Sequence, residues 1–371
     1  MHGGEKQRGE RAILAGIRAR ATGALRAAQK GTIARKQTRG GVRLGIGDDC
    51  ALLGIGADEE LAVTTDLAID GRHFRLDWHP PESIGARTLA RGLSDLAAMG
   101  ARPVAAFLSL GLPRPLVQTQ KNFPRKVVAN RKKTWAERFL DGFFALANAH
   151  RVPLAGGDLA ESPVAVADIV LTGAVRKNCA LLRSGAQPGD LLYVTGALGG
   201  AAAALVRLAQ WAEARAVTRA TKTGAAASAP PRIPARLEQL LAPHLAPQPR
   251  LAQGQWLARR GLATAAIDLS DGLSTDLAHL CEESGVAAEV DADALPVHAG
   301  ASLDQALHGG EDYELLFTAP AQARLPRSLH GVAITRIGRI VRPRKDRPRI
   351  LLRRAQDAQP LLERGWQHFC G

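Results

Sequence analysis

The chain has 371 residues, of which 46% are hydrophobic, and this length predicts about two domains. No apolar run approaches the roughly 20 residues of a membrane-spanning helix, and the four widely spaced cysteines argue against a zinc site or a disulfide framework. We therefore expect a cytoplasmic protein. The net charge of +14 does not by itself indicate nucleic-acid binding, because the basic excess is concentrated in four segments and the rest of the chain is net acidic. Those segments are residues 1–43, 114–133, 207–236 and 341–354.

The hydrophobic pattern predicts a mixture of strands and helices that do not alternate strictly. In chain order these are a strand at 61–66, a helix at 81–99 with Gly100 as its C-cap, a strand at 104–110, a helix at 135–149, strands at 164–175 and 190–194, helices at 201–211 and 250–260, a strand at 264–268, a helix at 270–284, and strands at 286–290 and 312–317. This order predicts an α+β chain of two halves, with a boundary near residues 177–188. Residues 217–236 are rich in Ala, Thr, Ser and Pro, which is typical of a flexible insertion.

Aspartates recur at the ends of predicted elements or beside glycine, within apolar sequence. Carboxylates are almost never fully buried unless they are paired or bound to a metal. Six such positions without six nearby arginine partners favour divalent cations, and oxygen ligands without His or Cys favour magnesium or manganese. Because magnesium uses few protein carboxylates per ion, we expect several ions and a phosphate-rich ligand. The six are Asp49, Asp66, Asp95, Asp158, Asp268 and Asp271.

Each aspartate also has a purely structural interpretation. Asp95 could form an ion pair with Arg91, four residues earlier on the same predicted helix. Asp268 or Ser270 could cap the helix that follows, and Asp158 could close a turn after two glycines. Taken together, however, carboxylates that recur at element ends favour one shared site.

The common phosphate-binding motifs are missing from the sequence. There is no GxxxxGK[ST] motif, the protein-kinase motifs are absent, and LGIGDDC lacks the third glycine of a dinucleotide fingerprint. If the chain handles a nucleoside triphosphate, it does so with metal ions and backbone groups, without a P-loop lysine.

Seven sequence blocks follow one another along residues 42–371. They are LGIGDDCALL, AVTTDLAIDGRHF, GLSDLAAMGARP, LAGGD, LLRSGAQPGDLLYVTG, AIDLSDGLSTDL and HGGEDYELLF. In this order they closely resemble the thiamine-monophosphate kinase family, which belongs to the aminoimidazole ribonucleotide synthetase-like superfamily. Any single block would be weak, whereas AIDLSDGL combined with GGEDYEL and TTDxxxxGxHF is specific.

The resemblance implies an α+β protein with the two-domain aminoimidazole ribonucleotide synthetase-like fold, in which each domain is a mixed sheet packed with helices, and a homodimer. We predict an N-terminal extension at 1–41, a nucleotide- and metal-binding domain at 42–178, and a C-terminal domain at 179–371 with the flexible insertion near 214–236. The implied reaction is the magnesium-dependent transfer of the γ-phosphoryl group of ATP to thiamine monophosphate, which gives thiamine diphosphate. A phosphate acceptor is already anionic, so no catalytic base is expected.

The resemblance also assigns roles to residues of this sequence. The implied magnesium ligands, for several ions, are Asp49, Thr64, Thr65, Asp66, Asp95, Asp158, Asp268 and Asp271. The implied ATP contacts are Gly157, Asp158, Arg183 and Ser270. The implied contacts to thiamine monophosphate are His73, Glu311 and Trp366. The structural alternatives are a surface arginine for Arg183, a strand-end histidine for His73, and a Trp366 that only pins the C-terminus.

The sequence departs from the family pattern at several places. Gly92 stands where family members usually have Asn, so a polar side chain is missing close to Asp95. Residues 15–40, 117–133 and 214–236 look like insertions and carry much of the basic excess. The role of Asp48, beside Asp49, is left open.

Two alternative functions were weighed against this interpretation. A hydrogenase maturation factor-like member of the same superfamily would use a C-terminal cysteine, and Cys370 is penultimate here. A polyanion-binding protein would use the basic segments, but this function leaves the aspartate pattern unexplained. We expect thiamine monophosphate and ATP as partners, and neither a specific nucleic acid nor a membrane.

Overall fold

The computed structural model describes residues 16–17, 19–21, 41–44, 52–118, 133–223 and 232–366. The chain forms two compact units. The first unit comprises Met1–Gly92, Pro103–Ala174 and Val217–Ile233, and the second comprises Leu93–Arg102, Val175–Ala216 and Pro234–Gly371. Within the described ranges, none of the helices combines the length and the apolar character that a membrane crossing requires.

The first unit is built on a four-stranded sheet and a short hairpin-like pair. Strands β1 (Gly41–Leu44) and β2 (Leu52–Gly54) pair with each other in antiparallel orientation. The sheet contains β3 (Glu59–Ile69), β4 (Arg102–Leu112), β5 (Leu154–Glu161) and β6 (Val166–Arg176). Its order is β3-β6-β4-β5, so β3 and β5 are the edge strands, and β4 and β5 run parallel.

Two long helices pack closely in this unit because glycines face each other's backbones. The helices of this part of the chain are α1 (Pro81–Ala98), α2 (Arg114–Val117) and α3 (Trp135–Ala149). A Cβ atom at Gly85 would overlap the Phe139 carbonyl oxygen, and one at Gly142 would overlap the Glu82 carbonyl oxygen. Arg138 donates two hydrogen bonds to Glu82, at 2.6 and 2.8 Å. Helix α3 has the predicted bounds, and Thr134 caps it.

The second unit is built on a larger mixed sheet of order β14-β13-β9-β12-β7-β10-β8, and β11 pairs with β12. Neighbouring strands are antiparallel except β9 and β13, which are parallel. The strands are β7 (Leu191–Thr195), β8 (Ala265–Asp268), β9 (Ala287–Asp291), β10 (Leu315–Ala319), β11 (Ser328–Leu329), β12 (Val332–Val341), β13 (Ile350–Arg354) and β14 (Asp357–Pro360).

Helices of the second unit contribute to one hydrophobic core with this sheet. Buried side chains of β7, β8, β10 and α7 meet there, among them Leu192, Ile267, Leu277 and Leu316. The helices are α4 (Gly200–Thr223, of which residues from Val217 on belong to the first unit), α5 (Ala235–Leu245), α6 (Leu251–Arg260), α7 (Leu273–Glu283) and α8 (Leu303–His308), with a 3₁₀ turn at Ala292–Ala294. The mixed sheets with packed helices confirm the predicted α+β class.

Two predicted elements differ from the structure. The strand predicted at 312–317 begins only at Leu315, because Glu311 and Tyr313 have left-handed backbone conformations with φ of 66° and 51°. Helix α4 continues to Thr223, since its Ala, Arg and Glu residues are good helix formers. Helix α5 was not predicted. Of the predicted insertion, residues 224–231 lie outside the described residues.

Candidate functional site

The best-defined group of predicted site residues lies at the end of β8 in the second unit. All four residues of β8 are buried, and the strand ends at Asp268, which is 4% exposed. The Ser94 hydroxyl, also buried, donates a 2.7 Å hydrogen bond to Asp268. Asp271 lies half-buried three residues further on. We call residues 268–272 the acid loop.

The electrostatics of the acid loop favour a cation. Burial first, and then the charges of Asp95 and Asp271, together raise the pKa of Asp268 to about 7. The hydrogen bond from Ser94 and the charge of Arg183 act in the opposite direction. An anionic Asp268 is therefore costly in this position unless positive charge is supplied close to it.

Asp276 holds the acid loop in shape and was missed by sequence reasoning. Its carboxylate accepts the backbone N–H groups of Asp271 and Gly272, at 3.1 and 3.0 Å. Burial, followed by the charges of nearby aspartates, raises its pKa. Helix α7 starts after Gly272, which gives no side-chain cap, so the suggestion that Asp268 or Ser270 caps this helix is wrong. An acid in the first helical turn after DG was the available signal.

Three predicted metal ligands of the first unit lie together on β3. Thr64 is half-buried, Thr65 is exposed and Asp66 is half-buried, as the alternation along a strand requires. Arg91 of α1 donates a 2.7 Å hydrogen bond to Asp66 and forms an ion pair with it. The Asp66 carboxylate therefore already has a positive partner within its own unit.

Gly157 and Asp158 lie inside strand β5. Asp158 is exposed, and its carboxylate accepts the N–H of Leu159 at 2.8 Å. Gly157 has φ of +146°, and a Cβ atom there would overlap the Leu108 carbonyl of the neighbouring strand. Only glycine fits this position. The alternative in which Asp158 closes a turn is wrong, because the residue pairs with Ser109 in the parallel β4–β5 register.

His73 follows β3 and has a defined ring orientation. The Ile69 N–H donates a 3.1 Å hydrogen bond to Nδ1 of His73. A neutral ring therefore carries its proton on Nε2, which can donate to a ligand. A small cavity beside the ring is also lined by Arg87 and Arg91.

Glu311 and Trp366, the other predicted acceptor contacts, belong to the second unit. Glu311 adopts a left-handed conformation, and its carboxylate lies 3.1 Å from Nδ1 of the buried His244 on α5. Trp366 is 46% exposed, and an indole ring is a side chain that can stack on an aromatic ligand. Sequence reasoning missed His244, because helix α5 was not predicted.

The predicted ATP contacts of the second unit are near the acid loop. Ser270 is a half-buried member of that loop, and its carbonyl accepts the Glu311 N–H. Arg183 is exposed, and its charge acts on Asp268, as described above. A guanidinium group that faces solvent near a carboxylate cluster is suited to bidentate phosphate binding.

The predicted magnesium ligands are divided between the two units. Thr64, Thr65, Asp66 and Asp158 lie in the first, and Asp95, Asp268 and Asp271 lie in the second. Asp49 and Asp48 lie outside the described residues. In the described part of the chain, no group of three or more His, Cys, Asp or Glu side chains is close enough to hold a metal ion. The donor chemistry, carboxylates and hydroxyls without imidazole or thiolate, nevertheless fits a hard cation such as magnesium.

Comparisons with known proteins identify the family. The family model of the AIR synthase related protein N-terminal domain matches residues 47–176, and that of its C-terminal domain matches residues 187–350. The thiamine-monophosphate kinase of Salmonella typhimurium is 40% identical over 311 residues, which cover 82% of this chain and 83% of the relative. The chain belongs to the thiamine-monophosphate kinase family.

Solved structures of this family agree with the fold. The thiamine-monophosphate kinase of Stenotrophomonas maltophilia K279a is 38% identical, with a TM-score of 0.68, over 92% of this chain and 95% of that one. A structure described as AaThiL complexed with AMPPCP and TMP is 26% identical, with a TM-score of 0.64, over 84% and 88% of the two chains. The two-domain fold expected for the thiamine-monophosphate kinase family is therefore confirmed.

Proposed function

We propose that this chain phosphorylates thiamine monophosphate to thiamine diphosphate, with ATP as the phosphoryl donor and magnesium as the metal. The relatives named above support the reaction and both substrates. The observation in this molecule that carries the proposal is the acid loop, where the buried Asp268 lies under the influence of Asp95 and Asp271. A buried carboxyl group on which two further carboxylates act is expected where polyphosphate is bound through cations.

In this proposal the residues that hold magnesium are the oxygen donors of both units. Asp95, Asp268 and Asp271 act from the second unit, and Thr64, Thr65, Asp66 and Asp158 from the first, together with Asp49. Magnesium, when bound, neutralises phosphate oxygens and stabilises the charge that develops on the transferred phosphoryl group.

The chain itself contributes binding and orientation. A phosphate monoester is already anionic at neutral pH, so it attacks without a general base and the protein has to bring two polyanions together. Arg183 and Ser270 contact ATP phosphates, and Gly157 is a further ATP contact through its backbone. The Nε2–H of His73 and the Glu311 carboxylate orient the thiamine moiety, against which the Trp366 ring stacks.

We also propose that two copies of the chain associate through the first unit. Strand β3 is an edge strand, and it exposes Leu61, Val63 and Leu67 at alternate positions, with 46, 57 and 45% of each residue accessible. Thr65 lies between Val63 and Leu67 on the same exposed face, which is otherwise apolar, and an exposed apolar patch is typical of an interface. Sedimentation velocity should show a dimer for the native chain and a monomer for Val63→Lys.

For localisation, we propose the cytoplasm, with which the free thiols of Cys179 and Cys281 are compatible.

The assay that tests the proposed function is direct. The purified chain is incubated with ATP, magnesium chloride and thiamine monophosphate, and thiamine diphosphate is quantified by chromatography. We expect product that depends on all three components. A folded protein that forms no thiamine diphosphate would contradict the proposal, and thiamine in place of the monophosphate serves as the acceptor control.

A further inference from the structure

Two consecutive backbone carbonyl groups of the acid loop bind the two residues of the second unit that are predicted to contact thiamine monophosphate. The Ser270 carbonyl accepts the Glu311 N–H at 2.8 Å, and the Asp271 carbonyl accepts the Trp366 N–H at 2.9 Å. Glu311 and Trp366 are far apart in the sequence, yet the backbone N–H groups of both donate to one dipeptide, Ser270–Asp271. The same dipeptide carries the predicted ATP contact and a predicted metal ligand.

The chain segment that carries Trp366 is hydrogen-bonded to helix α7. The Gly365 N–H donates a 3.1 Å hydrogen bond to the Thr275 hydroxyl, and the Arg364 N–H contacts the Ser274 hydroxyl at 3.4 Å. Thr275 is 2% exposed, so its hydroxyl is fixed in the helix and not shared with bulk water. We call residues 364–366 the tail segment.

Gly365 is required for these contacts between the tail segment and helix α7. A Cβ atom on Gly365 would overlap the Asp271 carbonyl oxygen and would lie 2.5 Å from the Thr275 hydroxyl. Any side chain at this position would therefore push the tail segment away from the acid loop. Glycines also allow the close approach of the other partner: a Cβ atom on Gly310 would lie 2.6 Å from the Ser270 carbonyl oxygen.

The tail segment is attached separately from the residues that precede it. Leu361 is buried in the hydrophobic core of the second unit and its N–H donates a hydrogen bond to the Ile350 carbonyl, whereas Leu362 is 64% exposed. The hydrogen bonds of residues 364–366 thus form a second attachment beyond Leu361. These contacts hold Trp366 at a fixed position beside Asp271.

We propose that Thr275 and Gly365 are positioning residues of the acceptor subsite, which set Trp366 against the acid loop and thereby fix the bound thiamine monophosphate relative to the metal-binding carboxylates. The inference rests on the proposed function, since it gives the tail segment a role in that reaction. Neither residue touches the substrate. Both act through Trp366, so their loss should weaken acceptor binding and leave ATP binding intact.

The test compares Thr275→Val with Thr275→Ser in the full-length chain. Valine has the shape of threonine but accepts no hydrogen bond, whereas serine keeps the hydroxyl oxygen that accepts the Gly365 N–H. We expect Thr275→Val to raise KM for thiamine monophosphate about fivefold, the effect of one net hydrogen bond, with KM for ATP within about twofold. Thr275→Ser should restore the acceptor KM to within about twofold of the native value.

A second variant and a second measurement guard against a misfolded protein. Gly365→Ala should raise the acceptor KM by about tenfold or more, because the added methyl group displaces the tail. Leu362→Ala, in the exposed part of the same tail, should leave every constant unchanged. Calorimetric titration of thiamine monophosphate without ATP should show the same order of affinities, and hydrogen exchange of a peptide containing residues 364–366 should be faster in Thr275→Val.

Two outcomes would overturn the inference. If the affinity for thiamine monophosphate is unchanged in both Thr275→Val and Gly365→Ala, the contact between Thr275 and Gly365 does not position Trp366. Equal losses for ATP and the acceptor, without rescue by Thr275→Ser, would show a merely structural role. Both outcomes require an active native chain, whereas failure of the proposed function would appear as an inactive native chain.

Discussion

The carboxylates of the two units look alike in the sequence but differ in their physical state. In the second unit, Asp268 is buried at a strand end, and the charges of Asp95 and Asp271 act on it. In the first unit, Asp66 already has Arg91 as a partner, and Asp158 is exposed. The acid loop therefore holds electrostatic strain that a cation would relieve, whereas the first-unit carboxylates are compensated or solvated. Burial, more than the number of aspartates, distinguishes the two groups.

The largest difference between the two groups should appear in turnover. Asp271→Asn removes a carboxylate from the partly desolvated acid loop, so we expect a fall in kcat of about 10³-fold. Asp158→Asn removes a solvated charge, for which the effective dielectric constant is higher, and should cost about 10- to 100-fold. Both values come from steady-state thiamine diphosphate formation.

A matched substitution and a stability measurement complete this comparison. Asp357→Asn, on the exposed strand β14, should leave turnover unchanged. Thermal unfolding of the metal-free Asp271→Asn variant should occur at the native temperature or slightly above it, because the loop N–H groups still bond to Asp276 and one repulsive charge near Asp268 is removed. Equal losses of turnover at Asp271 and Asp158 would break the proposed distinction between the two groups.

The second expected effect is on stability as a function of pH in the absence of metal. The folded-state pKa of Asp268 is about 7, above the usual value of 3.8, so the folded state holds this proton more tightly than the unfolded state does. The contribution of Asp268 to the free energy of unfolding should therefore fall as pH rises from about 4 to about 7, by at most about 1.4 kcal/mol per pH unit.

Asp268→Asn removes this titration and should make the profile less steep over that pH range, while Asp276 and Asp312, whose pKa values burial also raises, keep part of the slope. At pH 8 the variant should be more stable than the native chain, and at pH 3 the two should be similar. The same substitution at the exposed Asp158 should leave the profile as it is. Urea unfolding in EDTA at several pH values measures all three, and a native profile that is flat between pH 4 and 7 would contradict the assignment.

The smallest effect concerns packing around Gly92 in the first unit. A Cβ atom on Gly92 would lie 2.7 Å from a methyl carbon of Leu171, so Leu171 occupies the space into which an Asn side chain would extend. We expect Gly92→Asn to lower the free energy of unfolding by about 1–3 kcal/mol. Gly71→Asn is the control, because its surroundings are open and Asn tolerates positive φ. If Gly92→Asn is neutral in chemical unfolding, the packing explanation is wrong.

Sequence reasoning succeeded where local pattern and burial coincide. Strand 264–268 and helix 135–149 follow from the hydrophobic pattern, and AIDLSDGL places Asp268 at the end of a buried strand. It failed where the partner is distant in the sequence. The Arg91–Asp66 pair joins residues 25 apart, and the tail segment contacts Thr275 across 90 residues. No local pattern encodes such contacts.

The left-handed residues before β10 show a second limit. DYELLF has the composition of a strand from its first residue, yet Glu311 and Tyr313 have positive φ. The Asp312 carboxylate accepts the N–H groups of Gly199 and Ala201 at the start of α4, and Glu314 binds Arg250 and Thr195. Tertiary hydrogen bonds thus override the strand propensity, which only the folded chain reveals.

The apolar face of β3 links the behaviour of this protein to its concentration. If Leu61, Val63 and Leu67 are covered by a second copy, dimerisation stabilises the fold by mass action, and the melting temperature rises with protein concentration. Activity measured at nanomolar enzyme would then report a different species from that present at micromolar concentration. In a cell that makes few copies, this one strand would set the fraction of chains that are dimeric.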